Sequence, residues 1–317
     1  MLALDLLVVP GSGPVGVAAT VDLAEALTRG HAAEHAVDIR IVGGDGGPIA
    51  LRGGLSVHAT ALSETGPARP WVVVPGIGCS GATEIERRLA DPDVVAATRW
   101  LRAAGESRIV ASCTGTFLAA EAGALDGREV TTTWWLAGLF ARRYPTCRVD
   151  ADRMLVHDGP AITAGAALGH VDLLLAVVTE TMGATVARAV AARIAVSPRD
   201  SQAPFRRSAV YRDVDPDLAA VERHVLDRLA EPIRLADLAE AARVSPRTLS
   251  RRIHASTGMA PIQFAQRIKV EAALDLLRDP RRGVSEVARA VGLADASALN
   301  RLLRRTTGRP PGAFRST

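Results

Sequence analysis

Aromatic side chains are scarce in this chain: four Trp, two Tyr and five Phe make up 3% of 317 residues. Long apolar runs are also missing. Val171–Val178 falls well short of the roughly 20 residues a membrane-spanning helix needs, which excludes a helical span. The start, M-L-A-L-D-L-L-V-V-P, has no basic segment, extended apolar run or small-residue cleavage site, so a secretory signal is not expected. Only three cysteines occur, Cys79, Cys113 and Cys147. They follow no metal-ligand spacing and leave an odd thiol, which speaks against a disulfide framework and for reducing, cytoplasmic surroundings. No metal and no cofactor is expected. Lysine is nearly absent as well: Lys269 is the single lysine among 38 basic residues, an arginine bias of the kind GC-rich coding produces.

What is present divides the chain in two. At this length two domains are expected rather than one, and each is large enough to bury a core. The net charge of +4 hides a split, because residues 217–317 carry +7 and residues 1–216 carry −3. Basic charge is thus concentrated at the C-terminal end, as contact with a phosphate backbone requires. Residues 1–195 alternate short apolar runs (Leu4–Val9, Val37–Val42, Trp71–Val74, Arg108–Ala111) with helical patterns at Ala18–Thr28, Pro92–Ala104, Gly115–Ala124 and Leu136–Arg143. Alternation of this kind predicts an α/β domain, a mostly parallel sheet with helices on both faces, closed by one or two apolar helices over Ala167–Val196. From 196 to 216 the periodicity stops in S-P-R-D-S-Q-A-P-F-R-R-S-A-V-Y-R-D-V-D-P, the composition of a linker. Residues 217–317 read as all-α.

Inside this helical region a pair of stretches repeat each other, Leu235–Pro261 and Val284–Pro311. Leu235 matches Val284, Leu238 matches Val287, Ala239 matches Ala288 and Val244 matches Leu293. After one extra residue in the second copy, Leu249 matches Leu299, Arg251 matches Arg301, Ile253 matches Leu303 and Gly258 matches Gly308. Each copy reads as a short helix, a tight turn and a second helix with a basic outer face, which is the pattern of a helix-turn-helix near 235–255 and again near 284–305.

In the first copy Ser245 stands where an N-cap belongs and Pro246 at the first helical position. Leu249 and Ile253 then face inward. Arg247, Thr248, Ser250, Arg251 and His254 are left as candidate DNA contacts. In the second copy Asp295 is the expected cap and Leu299 and Leu303 face the core. Ala296, Ser297, Asn300 and Arg301 are placed toward base edges, and Arg304 and Arg305 toward phosphate. Arginine bonds guanine O6 and N7 with two donors, and asparagine pairs with adenine through one donor and one acceptor. The region from Asp217 to Phe314 resembles the AraC/XylS family of transcription regulators, with most of the signature in V-S-E-V-A-R-A-V-G-L-A-D-A-S-A-L-N-R-L-L-R-R-T-T-G-R-P-P-G-A-F-R. The resemblance implies two helix-turn-helix units joined by a long helix and entering successive major-groove segments. Family members usually carry phenylalanine where this chain has Leu299 and Leu303.

The N-terminal region holds one chemically suggestive feature. A strand ending at Ala111 runs through S-C-T-G-T-F-L-A-A-E-A-G into a helix, so Cys113 is expected at a sharp turn near a helix N-terminus, where a thiol pKa is lowered. V-V-V-P-G-I-G places the Gly76 and Ile77 amides as candidate oxyanion donors to the same spot. Most of residues 1–195 resembles the PfpI/ThiJ-like members of the class I glutamine amidotransferase-like superfamily, and is similar to regulators of the GlxA type that fuse such a domain to an AraC-type one. A-E-A-G-A-L-D-G-R-E-V-T-T-T-W-W and I-T-A-G-A-A-L-G-H-V-D carry that resemblance. Enzymes of the superfamily pair the elbow cysteine with a histidine in a T-T-H-W-like run. This chain reads T-T-T-W, with Thr133 in that place, and a threonine does not take up a thiol proton near neutral pH.

Cys113 then has three readings: a remnant lining a ligand pocket with Gly76, Ile77, Thr114 and Thr133, a redox-sensitive thiol, or the nucleophile of a cysteine-dependent amidase or hydrolase. The first is preferred, so the expectation is a regulator and not an enzyme. A small-molecule effector is sensed by the α/β domain, double-stranded promoter DNA is bound by the helical one, and the chain forms a homodimer away from any membrane.

Overall fold

A computed structural model describes residues 2–30, 36–79, 81–202, 205–213, 215–307 and 309–315, so Gly308 of the repeat lies outside the described residues. The chain divides into two compact units, Met1–Gln202 and Ala203–Thr317.

The first unit is built on a six-stranded sheet. Its strands are β1 (Leu2–Leu7), β2 (Val37–Val42), β5 (Trp71–Val74), β6 (Arg108–Ser112), β9 (Leu155–Asp158) and β10 (Ala161–Ala164), in the order β2-β1-β5-β6-β10-β9. Every neighbouring pair is parallel except β10 with the edge strand β9, which form an antiparallel hairpin. The central strands read as nearly unbroken apolar runs because both faces are covered: all four residues of W-V-V-V and of A-I-T-A are buried. Asp5 is the exception in β1, and its buried carboxylate is paired by Arg40 at 2.7 Å and by the Arg69 amide at 2.9 Å. Two small additions, the hairpin of β3 (Gly47–Ala50) with β4 (Ser56–Ala59) and the short pair β7 (Glu129–Val130) with β8 (Arg148–Val149), lie outside this sheet.

The helices of this unit are α1 (Pro14–Gly30), α2 (Ala82–Leu89), α3 (Pro92–Arg102), α4 (Gly115–Glu121), α5 (Ala137–Arg143), α6 (Gly169–Met182) and α7 (Ala184–Arg193). Much of the main core forms where α1, α6 and α7 pack on the sheet, through Val17, Leu23, Leu27, Leu173, Leu174, Val177, Val178 and Val190. The apolar stretch expected over Ala167–Val196 is thus two helices, separated by Gly183 at φ +88°.

The second unit is helical: α8 (Pro216–Asp227), α9 (Leu235–Ala241), α10 (Pro246–Thr257), α11 (Pro261–Leu277), α12 (Val284–Ala290) and α13 (Ala296–Thr307). The two repeats become α9–α10 and α12–α13, with helices of seven and twelve residues in each. Leu249 and Ile253, and Leu299 and Leu303 in the second copy, are fully buried, which is why the periodicity carried the same residue types at those places.

The boundary between units falls between Gln202 and Ala203, inside the segment 196–216. That segment is largely docked. Arg199 pairs with the carboxylate of Asp172 at 2.5 Å and Gln202 is fully buried in the first unit. On the other side Ser208 donates to Glu271 from both its amide and its hydroxyl, at 2.8 Å each. Such anchoring is polar and irregular in spacing, so it leaves no periodic trace in sequence.

Candidate nucleic-acid interface and cysteine elbow

The local sequence sets the start of both outer helices. Ser245 is extended (φ −69°, ψ 153°), its Oγ accepts from the Thr248 amide at 3.2 Å, and Pro246 begins α10. In the second repeat Asp295 Oδ1 accepts from the Ala298 amide at 2.7 Å. With the leucines and Ile253 turned inward, Arg247, Arg251 and His254 are exposed on α10, and Ser297, Arg301, Arg304 and Arg305 on α13. Thr248, Ser250 and Ala296 are half-buried. The Ser250 hydroxyl donates to the Pro246 carbonyl at 2.8 Å, so only its lone pairs are free for a new partner.

Asn300 departs from the expected geometry. It is half-buried, and its Oδ1 is buried without a hydrogen-bond partner, so pairing with an adenine requires the amide to rotate outward first.

Several arginines of this unit are held in ion pairs. Arg252 is held by Asp217 at 2.6 Å, Arg267 by Glu271 at 3.1 Å, and Arg281 and Arg282 by Asp279. Arg247, Arg251, Arg301, Arg304 and Arg305 form no ion pair or hydrogen bond with any described residue. Five unpaired guanidinium groups on two matching helices leave an uncompensated positive field on the side that presents them.

The elbow of the first unit is equally local in origin. Cys113 follows β6 with φ +53°, a left-handed conformation that a non-glycine residue adopts only when its surroundings force it. Its amide donates to the Ala164 carbonyl at 2.9 Å. Its carbonyl accepts from Thr116 at 2.7 Å and from Thr132 at 3.1 Å. Gly115 lies so close to the Val74 and Pro75 carbonyls that a methyl group there would overlap them. Gly76 is brought against Cys113 and Thr114, with 3.4 Å from its potential Cβ position to Cys113 Cβ. The Gly76 and Ile77 amides donate no hydrogen bond to any described residue, whereas the Ile77 side chain is buried in the interior.

One expectation about this cysteine is corrected by its surroundings. The thiol pKa is raised, not lowered: burial dominates, and the Thr114 amide and hydroxyl oppose it without overcoming it. Thr133 contributes least, since its fully buried hydroxyl is near the sulfur but completes no hydrogen bond. A favoured thiolate is therefore not what this turn provides.

The histidines stand apart from the sulfur. His157 is exposed and lies 3.0 Å from Arg108 Nη2. His170 is fully buried, 2.7 Å from Ser112 Oγ and 2.8 Å from Thr20 Oγ1. Thr20 already donates to the Gly16 carbonyl at 2.8 Å, so His170 Nε2 carries the proton and Nδ1 accepts from Ser112. Every polar atom of that imidazole is used structurally.

Comparison with known proteins agrees with both halves. Residues 238–317 match the model of a helix-turn-helix domain. The HTH-type transcriptional regulator CdhR of Pseudomonas aeruginosa is 26% identical, over 98% of this chain and 90% of its own length. The HTH-type transcriptional regulator GlxA of Rhizobium meliloti is 28% identical, over 85% of this chain and 82% of its own. The chain is thus similar, over most of its length, to HTH-type transcriptional regulators that include one of the GlxA type. The first unit shares its fold with a ThiJ/PfpI family protein from Pseudomonas syringae (TM-score 0.51, 20% identity, 62% of this chain and 76% of that one). A putative transcriptional regulator protein from Vibrio parahaemolyticus is alike to the same degree (TM-score 0.51, 23% identity, 59% and 96%).

Against this family frame, one residue near the elbow escaped the sequence. Gln202 reaches into the first unit, and its Nε2 lies 2.9 Å from the Thr132 carbonyl, 3.0 Å from the Arg153 carbonyl and 3.1 Å from Thr131 Oγ1. Gly165 has no room for a side chain because the Gln202 amide occupies the space. Thr132 and Ala164 are the groups that hold Cys113, so the last residue of the first unit is bound to the frame of the elbow. A glutamine in a Ser/Pro/Arg-rich segment gives no signal of this in sequence.

Proposed function

We propose that the chain binds promoter DNA sequence-specifically, with α10 and α13 entering successive major-groove segments, and that the first unit senses a small molecule at the elbow without catalysing a reaction. The observation that carries the DNA reading is the set of unpaired arginines on two repeated, capped helices. Arg251 and Arg301 stand at equivalent positions and read base edges, with Arg247, Thr248, Ser250 and His254 beside one and Ala296, Ser297 and Asn300 beside the other. Arg304 and Arg305 meet phosphate. Two copies of the chain bind as a homodimer on paired half-sites.

For the elbow, the non-catalytic reading is supported by a thiol with its pKa raised, Thr133 where the related enzymes carry a histidine, and His170 tied up elsewhere. Gly76, Ile77, Cys113, Thr114 and Thr133 would then line an effector site, with the Gly76 and Ile77 amides as donors. An effector of that pocket would present an acceptor group to them.

The test is a fluorescence-anisotropy titration of the full chain on the DNA upstream of its own gene. Preferential binding over random sequence is expected at moderate salt, and its absence would overturn the reading. Arg251→Ala and Arg301→Ala should each lower discrimination at one base pair by roughly five-fold to 150-fold, corresponding to about 1–3 kcal/mol per bidentate pair. Incubation with amide substrates should leave Cys113 without an acyl adduct by mass spectrometry.

A further inference from the structure

The two helix-turn-helix units differ at a turn position whose backbone is the same in both. Arg243 and its counterpart Gly292 are both left-handed, at φ +56° and +74°. Since the first unit accepts arginine in that conformation, the dihedral angle alone does not demand glycine in the second. Contact does. A Cβ on Gly292 would lie 2.6 Å from the Ala230 carbonyl oxygen, 2.8 Å from its carbon and 2.9 Å from Lys269 Nζ. Ala230 belongs to the segment that leads into α9, so the turn of the second unit rests directly on the backbone entering the first.

Lys269 completes the contact. It sits in the middle of α11, is buried, and its Nζ donates to the Glu231 carbonyl at 2.6 Å. It is the only lysine in a chain that uses arginine at 37 other positions. The physical difference between the two is shape: an ammonium is a compact donor on a flexible stem, and a guanidinium is a broad planar fork. Nζ is wedged between the Glu231 carbonyl and the Gly292 backbone, a contact that suits the compact group.

We propose that Lys269, Ala230 and Gly292 form a clamp that fixes the spacing and tilt of α10 relative to α13, making Lys269 a positioning residue for DNA specificity. A joining helix sets how far apart the two units lie along its axis. Each unit also packs on α11 through its own apolar core, Val287, Leu299 and Leu303 against Val270, Ala273 and Leu277 in the second, so what remains to be fixed is the placement of one unit against the other. The clamp is a direct contact between the two units, made by the turn of the second on the segment entering the first. Its consequence for operator choice rests on the DNA-binding function proposed above; its mechanical role does not.

Two measurements on the full chain separate these. Spin labels at His254→Cys and Ser297→Cys, in a Cys113→Ser background where Cys79 and Cys147 are buried, report the α10–α13 distance by double electron–electron resonance. The parent should give one narrow distribution, and Lys269→Met and Gly292→Ala a broadened or shifted one. Lys269→Arg should behave like Lys269→Met. Unchanged distributions in all three would overturn the clamp, whatever the DNA result. The second measurement compares the preferred DNA site with one carrying an extra base pair between its two recognised segments. The parent should lose about ten-fold or more in affinity on the altered site, and Lys269→Met should lose at least three-fold less, with random-sequence affinity unchanged. Equal penalties in parent and variant would overturn the role in specificity. A parent with no sequence preference would instead overturn the DNA reading and leave the distance measurement to judge the clamp.

Discussion

His170 shows how a single buried residue ties stability to pH. Burial alone lowers its pKa to about 4, against 6.5 for an exposed imidazole, so the folded chain keeps it neutral where the unfolded chain protonates it. The unfolded state thus binds more protons between these values, and stability rises with pH across that window. Lowering the pH from about 7 to about 4 should cost the first unit about 3 kcal/mol from this residue, at 1.36 kcal/mol per unit. Urea unfolding at pH 7 and 4.5 checks it: the difference should shrink in His170→Gln, and an equal pH dependence in that variant would refute the assignment. Cys113 gives the opposite shift by the same cause. Its alkylation by iodoacetamide should stay slow near neutral pH and rise only above the ordinary thiol range, and a plateau below pH 8 would contradict the buried setting. Cys113 was recognisable in sequence as an elbow residue because strand, Ser-Cys-Thr-Gly and helix follow each other. The sign of its pKa shift was not, because desolvation depends on neighbours brought in from β10 and the turn after β5.

At the level of elements, periodicity did well where one face of a helix or both faces of a strand are buried. The strand Val37–Val42 was found with its observed ends, and Trp71–Val74 likewise. The paired helices of both repeats emerge from the spacing of Leu249, Ile253, Leu299 and Leu303. The hairpin of β9 and β10 was not anticipated: β9 is an edge strand with alternating burial over only four residues, too short a run to stand out. The docked course of 196–202 was also illegible, since it is held by single polar groups, among them Arg199 on Asp172 and the Gln202 amide. Replacing Gln202 tests that anchor. Gln202→Leu removes this donor from the Thr132 carbonyl, while the Arg153 carbonyl keeps the Thr131 hydroxyl at 2.9 Å, at a cost of about 1–3 kcal/mol for a buried polar group left unpaired. Faster hydrogen exchange over residues 196–202 should accompany a lower Tm. Parent-like protection in the variant would show that Arg199 and Asp172 hold the segment unaided.

On the scale of the whole molecule the charge split is the governing property. The second unit carries the excess of basic residues, and Arg304 and Arg305, the arginines proposed to meet phosphate, release counterions when they do. The logarithm of the DNA association constant should therefore fall linearly with the logarithm of salt concentration. Arg305→Ala should reduce the magnitude of that slope by about 0.9 while lowering affinity for all sequences alike. A slope identical to the parent's would remove Arg305 from the phosphate contacts. An effector of the first unit should raise that unit's melting temperature in a thermal-shift screen, since a ligand that binds only the folded state stabilises it.

The sequence by itself determined the division into an α/β and a helical part, the central strands Val37–Val42 and Trp71–Val74, and the tandem repeat with its exposed arginines, because each is written in local periodicity, capping residues and charge. Tertiary structure alone decided which groups meet across long separations: Gln202 against Gly165, His170 between Thr20 and Ser112, and Lys269 beside Ala230 and Gly292. Those contacts join residues far apart along the chain through single polar atoms, and a single polar atom has no period to read.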